Sequence, residues 1–218
     1  MNLYVKASTF IGAVIFIAAL TMMSISGKES VAKNMSNPQE QSRSSLLQAL
    51  GAPGRSNELT DREDIYGWLI GGWEATVYDY AADGTARESS GEWHFGWVLE
   101  GRAIQDVWIA PPRSQRKAKT LSKQYNRYGT SIRVYDREFA VWRVTWFNPV
   151  TGARNDLVGR RQGPDIVQEG IGPDGRKIRW LFTDITPTSF IWRGESLEPD
   201  GKTWRLEAEF RARRMENK

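Results

Sequence analysis

The chain has 218 residues, a formal net charge of +4, one His and no Cys. That length bounds it to one domain, or one domain with an extension. The lack of Cys excludes a disulfide framework, thiolate metal sites, a cysteine nucleophile and a lipidated N-terminal Cys, and one His cannot make a His-rich metal cage.

A mean hydropathy of -0.53 argues against a multi-span membrane protein. The sequence pI of 9.4 is only mildly basic. Acids and bases alternate through the body, so no nucleic-acid partner is expected.

Residues 1–26 read as a signal peptide or an N-terminal membrane anchor. Lys6 precedes an apolar run, Phe10 to Met23. Ser24-Ile25-Ser26 then offers small residues two apart, the spacing a signal peptidase reads. Ala7 to Ile25 also comes close to the roughly 20 residues that span a bilayer. Both fates predict export to a periplasm, cell surface or medium, with membrane attachment if the segment is retained.

Residues 27–59 have the composition of a flexible linker, rich in Ser, Asn, Gln, Lys and Glu and free of aromatics. Ser44 to Leu50 suits a short helix that Gly51-Ala52-Pro53-Gly54 stops. The folded domain is expected over 60–218. Thr60 and Glu63 fit a capping box, which predicts a helical turn or two with Ile65, Trp68 and Leu69 on one face.

Turn signals then recur every ten to seventeen residues, among them Asp83-Gly84, Glu100-Gly101, Pro173-Asp174-Gly175 and Pro199-Asp200-Gly201. Between them lie ten candidate strands, over 73–81, 86–98, 103–110, 129–136, 139–147, 154–161, 165–171, 176–184, 188–197 and 203–213. No helical stretch interrupts them, which argues against a parallel sheet. The predicted fold class is all-β, an antiparallel up-and-down barrel of about ten strands with a short N-terminal plug helix, because closure removes exposed edges.

The ten tryptophans lie between Trp68 and Trp204, many at a two-residue period that places them on one face. Hairpin registers assign that face to the interior. The turn at Pro173-Asp174-Gly175 pairs Gln168 with Trp180 and Ile166 with Phe182 inside, and Glu169 with Arg179 outside. Pairing Glu198 with Lys202 sets Phe190 opposite Phe210, Trp192 opposite Ala208 and Ser196 opposite Trp204, with Arg193–Glu207 and Glu195–Arg205 outside. At Glu100-Gly101 the register sets Trp97 opposite Ile104, Phe95 opposite Asp106 and Trp93 opposite Trp108, with His94 outside.

Three stretches carry a resemblance: the entry Trp68-Leu69-Ile70-Gly71-Gly72-Trp73, the run Gly91 to Arg102, and the strand Tyr128 to Asp136. Over residues 60–213 the chain resembles calycin-like barrels, the superfamily of lipocalins, fatty-acid-binding proteins and their bacterial relatives. The resemblance implies a barrel enclosing a cavity for a small, largely apolar ligand. Some ten-stranded relatives hold haem through a His near the C-terminus. Thr203 to Arg213 has none, so no cofactor and no metal are expected.

The residues expected to line a ligand cavity are Trp93, Asp106, Trp108, Trp142, Gln168, Trp180, Trp192 and Trp204. Asp106 and Gln168 would set the orientation of a small hydrophobic or amphipathic molecule inside an aromatic wall. The plainer reading makes both of them satisfied core residues. Pro111 to Arg127 holds six bases (Arg113, Arg116, Lys117, Lys119, Lys123, Arg127) and no acid; it suits either a lid that draws anions or a solvated face. No catalytic residue is assigned, and the balance leans against an enzyme. The alternatives are an isomerase, hydratase or hydrolase using Asp106, or His94 with Glu92, as acid and base, and an envelope interaction module with a filled core. The ligand and the oligomeric state are not legible in the sequence.

Overall fold

A computed structural model describes residues 38–116, 122 and 125–216. The predicted signal or anchor segment lies outside the described residues, as do Lys117, Lys119 and Lys123 of the basic loop. Pro38–Leu50 is an α-helix, α1, six residues longer at its start than the sequence suggests. Pro38 opens it, a position where the missing N–H costs nothing.

Ten strands follow: β1 (Gly71–Tyr80), β2 (Ala86–Val98), β3 (Ala103–Ala110), β4 (Arg127–Asp136), β5 (Val141–Asn148), β6 (Ala153–Gln162), β7 (Asp165–Ile171), β8 (Lys177–Thr183), β9 (Ser189–Leu197) and β10 (Trp204–Arg214). Each pairs antiparallel with its chain neighbours, and β1 pairs with β10 to close the barrel. Among the described residues every strand has a neighbour on both sides, which is the physical return on closure. Burial alternates along β9 and along most of β1 and β2, as one face in and one face out requires.

The segment before the barrel departs from expectation in two ways. Residues 51–59, read as part of the linker, are held against the Leu99–Arg102 turn. Ala52 N–H donates to Trp97 O at 2.9 Å, Ser56 N–H donates to Gly101 O at 3.0 Å, and the Arg102 guanidinium bonds Glu58. Second, the plug is a turn with a short 3-10 helix, Gly67–Leu69, rather than an α-helix. The capping box forms: Thr60 N–H donates to Glu63 Oε2 at 2.8 Å, and Glu63 N–H donates to Thr60 Oγ1 at 3.3 Å. Asp64 then takes the Gly67 N–H at 2.6 Å, offering the backbone a side-chain partner in place of a helical carbonyl.

The plug fills one end of the barrel. Leu69 and Tyr66 are fully buried. Tyr66 meets Trp142 edge-on at 5.2 Å, and Trp68 meets Phe190 at 5.3 Å. The plug backbone also serves the indoles: Trp73 Nε1–H donates to Leu69 O at 2.7 Å and Trp142 Nε1–H donates to Glu63 O at 2.8 Å. Gly159 lies beneath the Tyr66 hydroxyl, where a Cβ would stand only 2.3 Å from it. Together with the ten strands, Ala49–Lys218 form one compact unit.

Two of the three hairpin registers are as expected. Ile166 pairs with Phe182, Gln168 with Trp180 and Glu169 with Arg179. Trp93 pairs with Trp108, Phe95 with Asp106 and Trp97 with Ile104. The β9–β10 hairpin differs. Asp200 accepts from Lys202 N–H and Thr203 N–H, both at 2.8 Å, and so draws Thr203 into the turn. Trp204 therefore pairs with Leu197 rather than facing Ser196. A one-residue slip turns every side chain to the other face, and a bulge between Leu206 and Ala208 turns them back. Phe210 then faces Trp192, and Phe190 faces Ala212. The outer ion pairs move as well: Arg193 bonds Glu209 at 3.1 Å, and Glu195 bonds Arg179 at 2.5 Å.

Candidate functional site

Beyond the plug, the barrel is not filled. A cavity of about 170 Å³ lies toward the end that carries the 81–85, 149–152, 172–176 and 198–203 connections. Five indoles line it, those of Trp93, Trp108, Trp146, Trp180 and Trp192, with Phe210, Ala208, Ser131, Arg127 and Arg133 completing the wall. The aromatic wall is preorganised. Phe210 stacks between Trp108, 4.5 Å away, and Trp192, 4.4 Å away. Such stacks are worth roughly 0.5–1.5 kcal/mol each beyond the burial of their area. Gly91 and Gly194 make room for this wall: a Cβ on Gly91 would stand 2.4 Å from Trp108 Cη2, and one on Gly194 2.7 Å from Trp192 Cη2.

The polar groups sit beneath and above the wall. Asp106 on β3 is buried, as expected from the register, but it does not line the cavity. Its Oδ2 accepts from Arg133 Nη1 at 2.5 Å and its Oδ1 from Ser131 N–H at 3.0 Å. The ion pair is fully enclosed, with side chains 1% and 0% exposed. Arg133 is the cavity-lining member of that pair, its guanidinium 5.4 Å from the Tyr66 ring and 5.5 Å from the Phe95 ring. At the mouth, Arg127 bonds Asp79 and so ties β4 to β1, with β2 and β3 between them.

Among the described residues, three N–H donors of cavity-lining side chains are buried and unpartnered, Trp93 Nε1, Trp108 Nε1 and Arg133 Nε, and the buried acceptor Asn155 Oδ1, opposite Trp146, is unpartnered as well. Buried donors without partners are rare in folded proteins.

Of the eight residues expected to line a cavity, Trp93, Trp108, Trp180 and Trp192 do so. Trp142 belongs to the plugged end, packed on Tyr66 and Tyr135. Gln168 is also there; its Nε2 donates to the Tyr66 hydroxyl at 2.8 Å, and its Oε1 has no partner. Burial pushes the Tyr66 hydroxyl up to about 12, against a smaller downward pull from the Arg133 charge and the Gln168 bond. Trp204 is a correction: it lies on the outer face, under the Arg179 guanidinium at 4.2 Å, because of the longer turn. Arg133 was missed. Its signal was available, since β4 alternation with Ser131 opposite Asp106 puts Arg133 on the face of that carboxylate.

His94 is on the outside, as expected. It lies 3.5 Å from Glu92 and 3.1 Å from Arg113 Nη2. Burial raises the Glu92 carboxyl, yet the hydrogen bonds and charge of Arg113, with His94, hold it below its usual value overall. Neither His94 nor Glu92 reaches the cavity. The described members of the basic loop also have partners: Arg113 bonds Glu92 at 2.6 Å, and Arg116 bonds Asn126, Pro111 O and Arg127 O.

Comparison with protein-family models finds no match, and comparison with curated proteins finds none either.

Proposed function

We propose that this chain is an exported, calycin-like barrel that binds one small, largely apolar molecule about the size of one or two aromatic rings. The cavity walled by Trp93, Trp108, Trp180, Trp192 and Phe210 carries this reading. Apolar pockets with few convergent polar groups are the usual form of a small-molecule site. Its volume sets the scale of the guest. A dry cavity of roughly 150 Å³ takes up benzene, so about 170 Å³ suits a monocyclic or small bicyclic compound. Haem or an extended long-chain acid would not fit without displacing the indoles.

Arrangement favours binding over catalysis. Asp106 is committed to Arg133 and the Ser131 N–H, and His94 stands on the outer face. Support for export comes from the Phe10–Met23 run and the small residues after it. Mass spectrometry of the mature N-terminus tests that part.

Titration of intrinsic tryptophan fluorescence with indole, naphthalene and palmitate tests the binding. Indole and naphthalene should perturb the emission saturably and palmitate should not. Ala208→Phe, which fills the cavity, should abolish the response while the fold survives. No saturable response to either ring compound would sink the reading.

A further inference from the structure

The plugged end and the cavity treat their indoles differently. At the plugged end Trp73 and Trp142 each donate to a backbone carbonyl, at 2.7 and 2.8 Å. At the cavity Trp93 Nε1, Trp108 Nε1 and Arg133 Nε have no acceptor among the described residues, although all three residues are more than nine-tenths buried. Among the residues that line the cavity, the unpartnered buried side-chain atoms are therefore all donors, while the Ser131 hydroxyl can donate or accept. Its two charged members are already neutralised, Arg133 by Asp106 and Arg127 by Asp79.

We infer that the ligand is a neutral, aromatic-sized compound bearing a carbonyl oxygen, such as an aryl ketone, aldehyde or small lactone. This inference rests on the ligand-binding reading and narrows it. A carbonyl oxygen has two lone pairs and no proton, so it matches indole and guanidinium N–H groups that have nothing to bond. An anion would shed its hydration without meeting an uncompensated cation, which makes it the poorer guest. A pure hydrocarbon would leave the donors unpaired. A compound that only donates would gain nothing from them.

Three probes of matched size separate these cases: acetophenone, benzoate and ethylbenzene. Binding is measured by calorimetry on the purified chain, at a pH where benzoate is ionised. Acetophenone should bind about tenfold more tightly than ethylbenzene, equivalent to about 1.4 kcal/mol, and more tightly than benzoate. It should also shift the indole N–H resonances of Trp93 and Trp108, and leave those of Trp73 and Trp142 unmoved. In the Trp93→Phe/Trp108→Phe variant the preference for acetophenone over ethylbenzene should shrink toward unity. The resonance shifts in the unmodified chain decide the matter if that variant fails to fold. Equal binding of acetophenone and ethylbenzene overturns the carbonyl inference and leaves the cavity reading intact. Tightest binding of benzoate overturns neutrality. Binding of none of the three removes the cavity reading itself.

Discussion

Arg133 Nη1 lies 2.5 Å from Asp106 Oδ2 inside the barrel, with neither side chain exposed to solvent. The two residues come from neighbouring strands, β3 and β4, and face each other diagonally on the inner surface. The pair supplies the cavity with a guanidinium whose charge is cancelled and whose Nε is still free to donate.

Breaking that pair should be far worse than removing it. Asp106→Ala leaves a buried cation without a counter-charge and should cost roughly 3–5 kcal/mol. Arg133→Met in the same chain should restore most of the loss, since an apolar side chain of similar length needs no partner. Urea denaturation of the two single variants and the double variant measures the coupling. Additive losses would show that the two side chains stabilise the barrel independently of each other.

Tyr66 makes the fold sensitive to alkali. Its folded-state value is about 12, raised by burial above the ordinary 10.0. The folded state therefore holds that proton more tightly than the unfolded chain does. The associated stability is complete below pH 10 and is lost as pH rises from 10 toward 12. At full loss it amounts to roughly 2–3 kcal/mol. Tyr66→Phe should flatten this part of the stability-versus-pH curve. It should also lower stability at neutral pH by roughly 1–3 kcal/mol, because Gln168 Nε2 loses its acceptor. Denaturation midpoints from neutral pH to pH 12, compared between the two proteins, check both effects. An unchanged slope in the variant would refute the assignment.

Gly91 should be intolerant of even one methyl group. An added Cβ would approach Trp108 Cη2 to 2.4 Å, and that ring is wedged against Trp93 and Phe210. Gly91→Ala should cost about 1–3 kcal/mol through overpacking and should lower ring-compound affinity by displacing the cavity wall. Gly96→Ala, at a position with open space around it, is the matched control and should change neither. Thermal denaturation and fluorescence titration read the two effects separately.

Trp204 should be dispensable for binding. It touches Arg179 on the outer face, a contact worth roughly 0.5–1 kcal/mol at a partly exposed site. Trp204→Ala should reduce stability by about that contact plus some lost packing, with acetophenone affinity unchanged. A marked loss of affinity would place Trp204 at the site after all.

Strand after strand could be read from the sequence because a two-residue period is a local property. β2 and β3 and the Pro173-Asp174-Gly175 hairpin needed only turn chemistry and alternation, and the registers follow. Trp204 escaped that logic. Asp200 lengthened its turn by side-chain hydrogen bonds, and the bulge at Leu206/Ala208 then restored the inward phase for Phe210. A single inserted residue reverses a face, and composition does not reveal where a strand absorbs it. Arg133 was within reach but needed a second step, the pairing of β4 onto Asp106.

The sequence by itself determined an antiparallel, ten-stranded body with an aromatic face and a polar one, because alternation and turn residues act over a few positions. Tertiary structure alone decided what the interior does with its side chains. Closure brought the plug residue Tyr66 onto Gln168, a partner far along the chain, and gave Trp73 and Trp142 carbonyls to bond. It left Trp93 Nε1, Trp108 Nε1 and Arg133 Nε without acceptors among the described residues, in side chains that wall the cavity. Which donors are satisfied depends on how volumes pack across the closed barrel, and no local pattern encodes that sum.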